Sequence, residues 1–361
     1  MDSASPRRSQ RLQRRPQHVA ADGLSPGNHL KEALTAAVSA LGAAELYAGA
    51  HEASPIALAR ARREHRRLEP SREPLCSTRT RLLDHDQVPP HLAFNVFVHR
   101  GYRCGLCTSS CCASALPPHW HNESLNIWTH AFAAYLGVRA ALQPLGSGLE
   151  SGQHTALRLS AAMPMVVSFS LSVVYHTFLA HKACSTHARG PERYHSLLCA
   201  DVAGVVAVLS VPQVAILHYG FWAHPTLRAC LFVISSLGAL LATRATRSKD
   251  QTQRAVPLAC LVLARWTCLA LRLAGHGNAC PQAVGIYVAM ELILAVGGAC
   301  NALFIPERWL PGKLDYGVNS HNIMHALTTA GAHLLLTALR ADAACMLAAG
   351  GQPGLSVRRW W

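Results

Sequence analysis

Seven apolar stretches, each long enough to cross a bilayer as a helix, dominate this chain after residue 124 and restrict what it can fold into. They lie near 125–144, 157–180, 195–218, 225–243, 255–274, 283–304 and 321–341. At 1.5 Å per residue, about 20 residues span roughly 30 Å of hydrocarbon. Inside that layer every backbone N–H and C=O must be satisfied within the protein, which a bundle of helices achieves. Pro164, Pro212 and Pro257 fall in or at the ends of spans and are expected as kinks. Arg228, Arg265 and Arg272 make the fourth and fifth spans the weakest.

Charge divides the chain. Half of the residues are hydrophobic and 14% are charged, yet 16 of the 33 Lys+Arg fall before residue 124, in runs such as "RRSQRLQRR" and "RARREHRRLEPSR". The expected organisation is a basic, disordered, cytoplasmic region over 1–80, a juxtamembrane segment over 81–124, the membrane domain over 125–341 and a short tail over 342–361. "LTAAVSALGAAELYAGA" (Leu34 to Ala50) is interrupted by Glu45 and rich in small residues, and reads as a short amphipathic or transient helix, not a span. No apolar run directly follows the first basic residues, so no cleavable signal peptide is expected.

The loops set the orientation. With a cytoplasmic N-terminus, the inside loops hold Lys182, Arg189, Arg193, Arg244, Arg247, Lys249, Arg254, Arg308 and Lys313, and the outside loops 145–156, 219–224 and 275–282 hold no Lys or Arg. Basic residues are retained on the cytoplasmic side, so the N-terminus is expected in and the C-terminus extracellular or luminal, which needs an odd number of spans. The expected class is therefore an all-α integral membrane protein, a seven-transmembrane helix bundle. Its orientation is the reverse of a G-protein-coupled receptor and excludes that class.

Against this apolar background the polar residues stand out. His321 and His325 open the last span one turn apart on one face; taken alone, they fit a headgroup-layer position as well as an ion site. His176 sits near the cytoplasmic end of the second span, and Asp201 about two turns into the third. Four residues with metal chemistry thus reach one layer from three helices, where unpaired ionisable groups cost several kcal/mol. Three imidazoles with an open position match a catalytic zinc site. A nearby carboxylate, Asp201, would orient or deprotonate a water acidified by the ion. The last span reads His-Asn-Ile-Met-His, so the Glu of the H-E-x-x-H protease helix is missing and the base must come from another helix. Ser172 lies four residues before His176 on the same face; it could hold the imidazole, the water or a substrate carbonyl, or simply bond its own backbone. Glu123, Asn126 and His130 in "NESLNIWTH" form one stripe, for which capping and interhelical hydrogen bonds outweigh ligation. Arg265 and Glu291 either pair with each other or contact a ligand.

"NESLNIWTH", "SLSVVYH", "ADVAG", "IPERWLPGKLDY" and "SHNIMH", in this order, resemble the signature blocks of the progestin and adipoQ receptor family. "LLDHDQVPPHLAFNVFVHRGYR" ahead of the first span resembles it too, and the likeness runs from about Leu82 to Arg340. The resemblance implies seven helices, an intracellular N-terminus, a zinc ion on the cytoplasmic side and a lipid-accessible cavity. It implies His176, His321 and His325 as the ligands, Asp201 as the residue holding the water on the ion, and Ser172 as a nearby group. Some family members are linked to hydrolysis of ceramide to sphingosine and a fatty acid; others are described as receptors or regulators, and a fold does not choose between these.

Most of the 13 cysteines are scattered singly through spans, where Cys acts as a small apolar residue. The exception is "CGLCTSSCC": Cys104, Cys107, Cys111 and Cys112 stand on the cytoplasmic side, where structural disulfides are not expected. Palmitoylation, a small zinc knot with His119 or His121, and unmodified thiols all fit. Two functions remain: a zinc-dependent amidohydrolase acting on ceramide or a related sphingolipid, or a receptor or regulator in which zinc is structural. A transporter lacks support, since no internal repeat is evident. The expected partners are a membrane lipid and proteins met through the basic N-terminal region, with no nucleic acid. The expected location is the Golgi or plasma membrane.

Overall fold

The computed structural model describes residues 81–144, 151–248 and 250–350. The basic region 1–80, with its Leu34–Ala50 stretch, and residues 351–361 lie outside the described residues. The juxtamembrane segment opens with a short antiparallel pair, β1 (Leu83–Asp84) and β2 (Arg100–Tyr102), around a 3-10 turn at His85–Gln87, followed by helix α1 (Thr108–Ser114). This small pairing is an addition to the all-α expectation. The long helices follow as α2 (Ser124–Leu142), α3 (Gly152–Phe178), the short α4 (Lys182–Ser185), α5 (Gly190–Ser210), α6 (Gln213–Gly220), α7 (Pro225–Ala245), α8 (Gln251–Leu273), α9 (Pro281–Leu303) and α10 (Ser320–Ala348).

Helix ends follow the sequence. Pro191, Pro225 and Pro281 start α5, α7 and α9, where a missing N–H is harmless. Asp250 caps α8 by accepting from Gln253 N at 3.0 Å. Pro164 and Pro257 lie inside α3 and α8, while Pro212 marks the joint between α5 and α6. Six segments of the described residues are long and apolar enough to cross a membrane: α3, α5 joined to α6, α7, α8 from Gln253, α9 and α10. The shortfall is at α2, 19 residues with Asn126, His130 and Arg139 in its length, and not at the Arg-bearing fourth and fifth stretches.

An inner apolar group built on Ala133, Ala161, Met165, Phe169, Tyr287 and Leu339 joins α2, α3, α6, α9 and α10. Outward, Phe132 and Tyr135 on α2, Val233 and Ile234 on α7, and Leu292 on α9 are exposed, the surface a lipid-facing bundle presents. Small residues set the close crossings. A Cβ on Gly204 of α5 would lie 2.8 Å from Ser168 Cα of α3, and one on Gly137 of α2 would lie 3.1 Å from Val166 N. Tyr175 and Tyr194 share a 2.7 Å hydroxyl contact, so α3 and α5 run antiparallel. Helices α2 and α10 run parallel, since Asn126 meets Asn322 and the Thr129 carbonyl meets Thr329.

The far end of α10 is tied down. Arg272 makes two bonds to Asp342, of 2.7 and 2.6 Å, and its guanidinium lies 5.6 Å from the Tyr287 ring centroid. A disulfide joins Cys280, at the cap of α9, to Cys345, with Cα atoms 6.1 Å apart. Single-cysteine positions gave no hint of that bond. The satisfied Asp342 lets α10 continue to Ala348, beyond the expected end of the span. Asp342→Ala leaves a buried guanidinium without its carboxylate and is expected to destabilise the bundle by about 3–5 kcal/mol, read as denaturant or thermal unfolding of purified protein. Wild-type stability in that variant would contradict the structural role given to the pair.

Candidate metal centre

Three of the four histidines and carboxylates singled out by depth come together. His176 lies in the last turn of α3, and His321 and His325 occupy the first two turns of α10. One ring nitrogen from each lies within 4.8 Å of the other two, and all three residues are buried. Among the described residues this is the one group of three or more His, Cys, Asp or Glu with that property. Three imidazoles fit a zinc ion of the catalytic kind, which takes nitrogen donors and keeps a position open.

Local structure aims these rings. Asn319 and Asn322 form a reciprocal cap on α10: Asn322 N donates to Asn319 Oδ1 at 3.1 Å and Asn319 N to Asn322 Oδ1 at 3.3 Å. Glu307, from the α9–α10 loop, accepts from Ser320 N at 2.6 Å and from the Ser320 hydroxyl, and also from Asn95 Nδ2 at 2.9 Å. His176 Nδ1 meets Glu123 Oε2 at 2.8 Å and His321 Nδ1 meets Asn301 Oδ1 at 3.2 Å. Both acceptors hold Nδ1 protonated, so Nε2 is the ligand nitrogen each ring offers. His325 stacks on His130, centroids 3.7 Å apart and planes at 16°.

Asp201 is buried on α5, within electrostatic reach of the Tyr175 and Tyr194 hydroxyls. The Gly204–Ser168 crossing of two antiparallel helices places Asp201, one turn before Gly204, level with Ser172, one turn after Ser168. Ser172 is buried, and its Oγ has no hydrogen-bond partner among the described residues; it does not bond its own helix backbone. His130 joins it in that layer, packed edge-on against Phe169 at 4.9 Å.

The stripe on α2 makes interhelical hydrogen bonds: Glu123 to His176 on α3, and Asn126 Oδ1 from Asn322 Nδ2 of α10 at 2.6 Å. Arg265 and Glu291 pair with each other, and Trp266 Nε1 adds a 3.0 Å bond to the same carboxylate. No three ligands from the Cys104, Cys107, Cys111, Cys112, His119 and His121 set converge as a metal group among the described residues. His121 is consumed by backbone: its Nδ1 accepts from Glu123 N at 3.1 Å, so its Nε2 donates to Ser114 O at 3.0 Å. Burial, and then the positive Arg103, push its pKa down to about 3, which keeps Nδ1 an acceptor.

The juxtamembrane segment packs over the end of the bundle that holds the centre. Phe94 packs edge-on to His321 at 6.0 Å, and His99 N donates to Asp315 Oδ1 at 2.9 Å. Arg103 donates to His176 O at 2.8 Å and to Ser114 Oγ at 2.6 Å. Burial pushes the Arg103 guanidinium down to about 10, and the charge of Glu123 opposes that shift. Sequence reasoning missed the Glu307 clamp and this cover because both depend on loop paths, which carry no periodic signal.

Fold and centre together define a helical membrane protein with a buried three-histidine cluster at one end. A family profile described as "Haemolysin-III related" matches residues 118–336. The mouse "Progestin and adipoQ receptor family member 4" (Mus musculus) is 33% identical over 252 residues, 70% of this chain and 89% of the relative. Its human counterpart (Homo sapiens) is 33% identical over 255 residues, 69% of this chain and 88% of the relative. An "Adiponectin receptor protein" of Drosophila melanogaster is 28% identical over 256 residues, 68% of this chain and 56% of the relative. The chain belongs to the haemolysin-III related family and, within it, to the progestin and adipoQ receptors, as the ordered motifs imply.

Proposed function

We propose that this chain is a seven-span membrane protein that holds a zinc ion on His176, His321 and His325 and hydrolyses the amide bond of a ceramide-like lipid. The observation that carries it is the donor set: three buried imidazoles within 4.8 Å, with Ser172 and Asp201 on neighbouring turns of α3 and α5. A zinc ion bound there supplies Lewis acidity and lowers the pKa of water to about 7. Asp201 takes a proton from the attacking water and returns it to the departing amine nitrogen. Ser172 Oγ donates to the amide carbonyl oxygen, which accounts for a buried hydroxyl with no hydrogen-bond partner among the described residues. The proposed route for the lipid is from the bilayer, with Phe94 packed over His321 on the juxtamembrane side.

The topology proposed is N-terminus cytoplasmic and C-terminus extracellular or luminal. Nine basic residues on the inside loops against none outside support it, and so does the Cys280–Cys345 disulfide, at the end of α10 opposite the histidines, where an oxidising space would lie. That fits a Golgi or plasma membrane location, with the basic N-terminal region offered to cytoplasmic protein partners.

A second reading draws on the receptor named among the relatives: the triad braces the end of α3 against the start of α10, which a purely structural zinc would also do. Zinc content and fatty-acid release from a long-chain ceramide, measured on the same purified preparation, separate the two. One zinc per chain with zinc-dependent release is expected. Zinc without turnover would favour the regulatory reading, and no zinc would sink both.

A further inference from the structure

Helix α2 supplies none of the three imidazoles, yet Glu123 at its N-cap grips one of them. We propose that Glu123 is a positioning residue that sets the metal affinity of the centre, by locking His176 in the tautomer that offers Nε2 and by placing a negative charge beside the ion. This rests on the metal-site reading above and adds to it a residue that touches no metal.

The carboxylate is buried and only accepts hydrogen bonds when ionised, so the 2.8 Å contact requires His176 Nδ1 to carry its proton. Glu123 stands at the cap of α2, where a carboxylate commonly accepts from the helix amides, yet its side chain makes no capping bond. Arg103, the nearby cation, directs its guanidinium to Ser114 Oγ and His176 O instead of pairing with it. The same Oε2 accepts from Asn126 Nδ2 at 2.7 Å, which turns Asn126 Oδ1 toward Asn322 Nδ2 at 2.6 Å. Asn322 lies between His321 and His325, so one stripe of α2 registers both ligand helices against each other. His321 Nδ1 instead meets a neutral amide oxygen, Asn301 Oδ1. The direct hydrogen bond of the carboxylate goes to His176, and a charged partner strengthens an imidazole ligand more than a neutral one.

The test uses the full chain purified in detergent, with zinc affinity read by chelator competition. Glu123→Gln keeps shape and an acceptor oxygen but removes the charge. It is expected to lower zinc affinity by about 10–100-fold. It should also shift the visible absorption of the cobalt(II)-substituted protein, since the field of His176 changes, while the metal-free protein melts near the wild-type temperature. Wild-type zinc affinity with an unchanged cobalt spectrum would overturn the proposal. Should the Gln variant not fold, Asn126→Ala frees the carboxylate without removing it and is expected to weaken zinc binding in the same direction; wild-type affinity there would overturn it equally. A wild-type chain that binds no zinc would instead overturn the metal-site reading beneath it.

Discussion

Asp201→Asn is expected to leave zinc in place and to lower amide hydrolysis by about 10²–10⁴-fold, the usual contribution of a general base. Asparagine keeps the size of the side chain and some of its hydrogen bonding, so the Gly204–Ser168 crossing that sets its level beside Ser172 is untouched. What it cannot do is accept the proton. Asp201 is not one of the three clustered ligands, which separates its loss from loss of metal. The measurement is zinc content and fatty-acid release from long-chain ceramide, on wild-type and variant protein prepared together. Equal turnover would end the role assigned to Asp201. Zinc and stability lost together would make it a structural residue.

The second large effect is expected at the ligands. His325→Ala removes one of three imidazoles from α10 and leaves a two-donor site, which should empty on purification. A ligand present at about 1,000 times its Kd stabilises a fold by about 4 kcal/mol. For a domain of this size about 2–4 °C accompanies each kcal/mol, so the wild-type melting temperature should exceed that of the variant by on the order of 10 °C when zinc is supplied. The gap should close when both are stripped with chelator. Stoichiometric zinc in a protein with His176, His321 and His325 all changed to Ala would refute the assignment outright.

Much of this was legible in the chain itself, and the reasons are specific. The long apolar stretches became the long helices because in a bilayer length and hydropathy nearly determine a helix; α2 formed too, but its inward polar stripe leaves it short of the apolarity of a span. The His321–His325 spacing placed two rings on one face, and counting turns from a common side brought His176 to them. Spacing along one helix cannot report the rotation of that helix against its neighbours. Glu123, Asn126 and His130 were therefore visible as a stripe, but not as partners of His176, Asn322 and His325. Arg265 and Glu291 were left open for the same reason. Cys280 and Cys345 gave no signal because a disulfide depends on where two helix ends meet.

The triad takes its rings from α3 and from α10, the second and the last of the long apolar stretches in order of synthesis. During biogenesis His176 enters the bilayer long before His321 and His325 exist, so no truncated or stalled chain can complete the ligand set. On the metal-site reading proposed above, an ion would be held only after the final helix has inserted in the correct sense. A chain with one span inverted would carry His321 and His325 to the opposite leaflet from His176 and would remain metal-free. On that reading, metal loading would report that insertion has finished correctly, and a chain left metal-free would lack the brace between α3 and α10.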